Sequence, residues 1–459
     1  MKTRLRILLF VLAVPLLSGA VSSEARGRWD ARWSARLRHP MGALCADPRF
    51  AARFPPCRPY NGLSTLIAVS AGTAVLGLAW LGVVAGAGAL ARRPGLVRRR
   101  GFRPVLFGSA AMFVVLLAAQ GWLAVQGFSV AANLLSRAVF LRSLSGIAGI
   151  LAAVAVGLSA AQAVGIARRV ARPPSVLGRR VAEGDAPALW AAAAHAGAAH
   201  ASPGVAEIVA GLAPVLFVSP DGLESLDGRG GRPSLHFPLT LARILTVPEC
   251  EALLAAQVSR VRSEDSRRAA LFSSSWLRLR EEAVRPQWWR GLARFAVAPA
   301  AAWVGLLVDE FQPAAAAAWR EEEAEGDRAA VAAGGGEAYG AALVKVHAFA
   351  PAWEAAVAAM ADAAAGGEQY ANAALLFADV VASNAGPERV ALAMARLEGG
   401  APGAPRRLAR AGEADPGRVA AAALDVRPEV AASSLLGGAA ERLEEDLSTA
   451  RHLQLRPRP

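Results

Sequence analysis

The stretch LTVPECEALLAAQVSRVRSED, Leu245–Asp265, holds the residues whose spacing bears most directly on chemistry. Thr246 followed three residues later by Glu249 is a capping-box pattern, and Pro248 is tolerated in a first helical turn, so a helix is expected to start here. Leu253, Leu254, Val258 and Val261 recur at helical spacing and mark its buried side. Ala256 and Arg260 are four apart and would share a face. Two histidines at that spacing, with a glutamate directly after the first, would bind zinc and activate its water. Here the three positions are Ala256, Gln257 and Arg260. Alanine offers no donor atom, a guanidinium stays protonated and repels a dication, and a glutamine amide takes no proton from water.

Other donors offer no ready substitute. The histidines are His39, His195, His200, His236, His347 and His452. His195 and His200 are five apart, which turns them away from a shared helical face, while His236 and His347 each stand alone. No Ser/His/Asp triad, P-loop or dinucleotide fingerprint occurs at usable spacing, which argues against other enzyme classes.

The elements that must position this helix are short. APVLFVSPDGLESLDGRGGRPSLHFPLTL reads as two strands, about Val215–Ser219 and Ser234–Phe237, around a Gly-rich turn. His236 falls on the strand expected at the sheet edge. Downstream, FAVAPAAAWVGLLV, Phe295–Val308, is 14 residues long, which suits a buried or membrane-dipping helix better than a span.

With these parts in view, the surroundings of AQVSR resemble the membrane zinc endopeptidases of the HtpX and CAAX prenyl endopeptidase type. In that family a Leu-Thr/Ser-x-x-Glu-Leu-x-Ala-Val-Leu-Ala lead runs straight into the zinc motif, as LTVPECEALLAA does here. The resemblance implies a supporting role for Asp265, five residues beyond the second histidine position. It also implies that EAEGDRAA carries the third-ligand position at Glu323, followed by Asp327 and Arg328, with Gly326 where Ala is usual. As a plain sequence, EEEAEGD equally suits a solvated helix face. A strand pair ahead of the zinc helix, with an edge that holds substrate by β-addition, also belongs to the family; LES at Leu223–Ser225 stands roughly where an Asn-Ala-Phe element is expected. EADPGRVAAAAL resembles a His-Pro element with Asp415 in place of the histidine, and VAASSLLGGAAERLEEDL resembles the closing helix.

Composition adds a membrane. Of 459 residues, 54% are hydrophobic, with mean hydropathy +0.33. The net charge of +13 is uneven: residues 1–173 carry 22 Lys or Arg against three acids, and residues 174–459 carry 28 against 34. The basic excess thus belongs to the apolar region, and no basic patch interleaved with aromatics marks a nucleic-acid site. Residues 1–22 have the basic flank, apolar run and small residues of a signal peptide or signal anchor. Leu63–Leu90, Val105–Phe128 and Val139–Ile166 are each long enough to cross a bilayer, giving three transmembrane helices within residues 62–166. ARRPGLVRRRGFRP holds six arginines and is expected inside, which puts residues 23–61 outside and residues 174–459 in the cytoplasm. Cys45 and Cys57 share the outer segment, where an oxidising compartment would let them pair; Cys250 is expected buried and reduced.

The expected fold is α+β and mostly helical: N-terminal transmembrane helices, then a zincin-like (gluzincin) peptidase domain with a small β-sheet. The expected function is that of a multi-pass inner-membrane protein with a degenerate peptidase domain that binds a peptide or protein partner without a cofactor. The alternative is an active zinc endopeptidase acting on membrane or misfolded proteins, with Glu323 among the metal ligands.

Overall fold

The computed structural model describes residues 2–92, 102–135, 139–198, 204–261, 263–285, 293–399, 407 and 415–455. It is mostly helical with a small sheet, and it divides into two units: Met1–Ala171 with Ser275–Ala314, and Arg172–Ser274 with Ala315–Pro459.

The first unit contains α1 (Lys2–Leu37), α2 (Met41–Ala46), α3 (Pro48–Arg53), α4 (Cys57–Ala91), α5 (Arg103–Leu135) and α6 (Val139–Ala171). Four stretches are long and apolar enough to cross a membrane: Arg4–Leu37, Cys57–Ala91, Arg103–Leu134 and Ile147–Ala171. One more appears than the three the apolar runs suggested, because the leader segment continues as helix through the small residues near 22 to Leu37. Small residues let these helices approach closely. A Cβ on Gly77 would run into Val11, and one on Gly127 would meet Ser18 Oγ at 3.0 Å. Gln120 Nε2 donates to the Val11 carbonyl at 3.2 Å and Ser18 Oγ to that of Leu123 at 3.3 Å, so buried polar groups join α1 to α5. Apolar side chains such as Val83, Val115, Ile150 and Leu151 face outward, as an apolar solvent allows.

Two further features belong to this unit. Phe295–Val308 is helical and lies outside the four span-length stretches; Trp303 is fully buried, donates Nε1 to Ser109 Oγ at 2.9 Å and stacks on Phe113 at 5.6 Å. Cys45 and Cys57 form a disulfide and sit with buried Met41 and Tyr60 in a small apolar cluster flanked by Trp29, Trp33 and Phe54.

The second unit opens with β1 (Gly178–Val181), α7 (Pro187–Ala198), β2 (Glu207–Gly211), β3 (Phe217–Ser219), the small hairpin of β4 (Glu224–Ser225) and β5 (Gly228–Arg229), and β6 (Ser234–Pro238). Helices α8 (Leu239–Ala242), α9 (Val247–Val258), α10 (Glu264–Val284) and α11 (Ala293–Phe349, two helical segments joined at a break at Gly335, φ 80°) follow, the last two contributing to both units. The chain continues with α12 (Ala352–Ala365), α13 (Ala373–Asn384), α14 (Pro387–Gly399), α15 (Pro416–Leu424) and α16 (Ala439–Leu455). The four-stranded sheet has the order β1-β2-β6-β3. The expected strand pair is present, antiparallel with Phe217 opposite His236. However, β6 also pairs in parallel with β2, so it lies inside the sheet and all five of its residues are buried. The expectation of His236 on an edge strand is therefore corrected: β3 ends the sheet, and β2, unforeseen in the sequence, covers the other side of β6.

Candidate functional site

The site is organised around α9. Its capping box forms as the sequence suggests: Thr246 Oγ1 accepts from the Glu249 backbone N–H, and Glu249 Oε2 accepts from that of Thr246 at 2.8 Å. The same Oε2 accepts from Lys345 Nζ of α11 at 2.9 Å, and Lys345 also donates to the Ile244 carbonyl at 3.0 Å. Both side chains are buried, and burial raises the pKa of Glu249 while the Lys345 charge and the capping hydrogen bonds oppose the rise. Leu253, Leu254, Val258 and Val261 are buried, in line with their spacing. Around the helix start, Ala432 donates its N–H to the Leu245 carbonyl, and Arg243 makes a bidentate pair with fully buried Glu444 of α16, which also accepts from Asn372. Cys250 is buried and free, its thiol pushed up to about 12 by burial and then by Glu251 and Glu249, so it is an inert packing residue.

The other end of α9 differs from the continuous helix expected. The α-helix stops at Val258, and Ser259–Val261 is a 3₁₀ turn in which Ser259 Oγ donates to the Ala256 carbonyl at 2.9 Å. Ala256 thus sits on the helix, while Arg260 sits on a tighter turn of different angular spacing. Ala256 is buried. Gln257 Oε1 and Arg260 Nε are buried atoms with no hydrogen-bond partner among the described residues.

Helix α11 packs along α9 in the opposite direction and meets this end at Gly326. A Cβ on Gly326 would lie 3.0 Å from the Ala256 carbonyl oxygen, and one on Gly334 would lie 2.8 Å from the Ala252 Cβ. Glycine at 326, where the resembled pattern has alanine, is explained by this close approach. The approach brings Ala256 beside the EAEGDRAA segment. Asp327 is fully buried and its Oδ1 accepts from Tyr339 Oη at 2.5 Å and from Arg407 Nε and Nη2 at 3.0 and 2.9 Å. Arg407 Nη2 also donates to Tyr339 Oη at 2.6 Å. Burial disfavours the Arg407 charge, but Tyr339, Asp327 and Glu323 outweigh it and raise its pKa. Burial raises the Tyr339 phenol in turn, with Arg407 opposing and Asp327 adding. Glu323 is half-buried one turn before Asp327, and neighbouring Glu322 accepts from Ser273 Oγ at 2.7 Å.

The remaining candidates lie apart from this cluster. Asp265 is exposed in the first turn of α10. Asp415 caps α15 through the Gly417 N–H at 2.8 Å, which accounts for an aspartate there. His195 and His347 are exposed, and His200 lies outside the described residues. His452 accepts from the Tyr370 N–H at 2.9 Å. His236 is buried: Nδ1 donates to the Val215 carbonyl at 2.6 Å, the ring stacks on Phe217, and Nε2 points at Gly211, where a side chain would collide with it. Burial lowers its pKa to about 4, the Val215 bond opposing.

Zinc does not fit this donor set. Ala256 brings no donor, Arg260 brings a cation, and the buried carboxylate of Asp327 is already engaged by a guanidinium and a phenol. Among the described residues no group of three or more His, Cys, Asp or Glu side chains is placed to hold a metal ion. Comparison with known protein families, with curated proteins and with solved structures finds no match to this chain.

Proposed function

We propose that the chain is a multi-pass inner-membrane protein whose residues 174–459 form a degenerate HtpX-like peptidase domain on the cytoplasmic side, binding an extended peptide or protein segment instead of hydrolysing it. The observation that carries this reading is the close approach of α9 and α11 at Ala256 and Gly326. It brings Ala256, at the first-ligand position of the resembled motif, beside the segment that carries Glu323, and both histidine positions and the general-base position of that motif are replaced. Two details support peptide binding. Strand β3 ends the sheet and packs beside α9, the place from which an added strand would be held by main-chain hydrogen bonds. Gln257 Oε1 and Arg260 Nε, unpartnered among the described residues, are an acceptor and a donor suited to a peptide backbone.

The test combines zinc analysis with capture. Elemental analysis of the purified full chain, with Glu323→Ala alongside, should find zinc at background in both. Near-stoichiometric zinc that disappears in Glu323→Ala, together with chelator-sensitive proteolysis, would overturn the reading in favour of an active endopeptidase. A photo-crosslinker at Phe217 should capture unfolded polypeptide in membranes, and no capture beyond that at an exposed control site such as His195 would remove the peptide-binding role.

A further inference from the structure

In the first unit a cavity of about 800 Å³ opens between the end of α1, the start of α4 and the end of α5. That volume lies within the range that holds a small-molecule or lipid-sized ligand. Its lining is divided in character: Leu63, Leu66 and Trp122 are apolar, whereas Arg32 and Gln126 are polar. Arg32 is exposed and makes no hydrogen bond or ion pair among the described residues. Trp29, toward the end of α1, is the kind of side chain that settles where hydrocarbon meets water.

Charge at this end of the helices needs an explanation that topology does not give. Residues 23–61 carry eight arginines against three acids, although the opposite end of the same helices carries six arginines in ARRPGLVRRRGFRP. Basic residues normally accumulate on one side only. The three acids are engaged elsewhere: Glu24 with Arg28, Asp30 with Ser34 and the Met41 N–H, and Asp47 with the Arg49 N–H. Arg32 is left as a cation at the rim of a partly apolar cavity. Two of the walls are also held in place in advance. The Cys45–Cys57 disulfide anchors the start of α4, and Arg26 Nε donates to Tyr60 Oη at 3.1 Å, tying α1 to α4 beside the cavity. Such fixing lowers the ordering cost of binding.

We propose that this cavity binds an anionic phospholipid of the surrounding bilayer, with its phosphate at Arg32 and an acyl chain against Leu63, Leu66 and Trp122. A guanidinium at the mouth of a partly apolar cavity pairs with a phosphate by charge-assisted hydrogen bonds while the apolar wall takes the acyl chain. The proposal rests on the membrane placement of the four helices and is independent of the peptidase reading.

Native mass spectrometry of the full chain in detergent tests it, with phosphatidylglycerol and phosphatidylcholine of matched chains and inorganic phosphate as separate probes. Phosphatidylglycerol should bind saturably, one per chain, and about fivefold more tightly than phosphatidylcholine; Arg32→Gln should erase that preference. Gly62→Trp should block uptake of both lipids, because a Cβ at Gly62 meets nothing within 4 Å and the indole would fill the cavity. Equal retention of the two lipids, or an unchanged preference in Arg32→Gln, would overturn the proposal. Displacement of phosphatidylglycerol by inorganic phosphate would also overturn it, by showing a free-anion site. A chain that stays in the supernatant without detergent would instead remove the membrane placement on which it rests.

Discussion

The two ends of α9 treat polar groups in opposite ways. At its start, Thr246, Glu249 and Lys345 satisfy one another, and the nearby Arg243 pairs with buried Glu444. At its end, Gln257 Oε1 and Arg260 Nε are buried with no hydrogen-bond partner among the described residues. Buried groups at the first end are worth much to the fold, since removing one member leaves a charge stranded. Groups at the second end weigh against it, because a buried polar atom without a protein partner has lost its water and gained no hydrogen bond.

The sharpest way to break this contrast is at Lys345. Lys345→Met would leave the Glu249 carboxylate buried and unpaired and the Ile244 carbonyl without its donor. The expected loss is about 3–5 kcal/mol, read as a lower unfolding midpoint of the detergent-solubilised full chain. Adding Glu249→Leu should restore part of it. A Lys345→Met chain as stable as the parent would mean that the start of α9 is held by apolar packing alone.

A pH titration gives the next largest effect. Because the folded pKa of His236 is lowered to about 4 from the ordinary 6.5, the unfolded chain binds more protons between those values. The stability associated with neutral His236 is complete above pH 6.5, falls as pH drops toward 4 and levels off below it. The span is about 3 kcal/mol at most. His236→Phe should flatten the profile in this window, with Gly211 leaving little room for a larger ring.

At the Asp327 cluster, Arg407→Gln should cost about 2 kcal/mol, less than Lys345→Met, because Tyr339 still donates to the carboxylate and Arg407 is 17% exposed. Hydrogen exchange of the α11 amides around Asp327 would localise that loss. Unchanged protection there would show that the carboxylate is satisfied without the guanidinium.

Which of these features could be read from the chain follows from distance along it. The capping box and buried stripe of α9 are local patterns, and the apolar stretches carry their own length signal, so both were legible. Strands β1 and β2 are four and five residues long, and the interior position of β6 depends on β2 pairing with it, which no local pattern of β6 reports. Arg407 reaches Asp327 across 80 residues, from a region rich in other arginines that offers nothing to single it out. Lys345 did carry a signal. The chain has two lysines, Lys2 and Lys345, among 50 basic residues, and Lys345 interrupts the apolar run GAALVKVHAF. A compact ammonium in a chain that otherwise uses arginine points to a confined site, where a guanidinium fork is too large.

The smallest expected effect tests the other half of the contrast. Gln257→Leu removes an amide whose buried oxygen has no partner among the described residues, so stability should not fall and should rise by about 1 kcal/mol. Capture of polypeptide by a crosslinker at Phe217 should nevertheless fall, since an acceptor near the proposed peptide path is lost. The two readouts separate the explanations. A large stability loss would place Gln257 in the frame with Glu249 and erase the difference between the ends of α9. Capture that does not fall, with no loss of stability, would leave the frame argument intact but take Gln257 out of any binding surface, leaving β3 and Arg260 as the groups proposed to hold a partner.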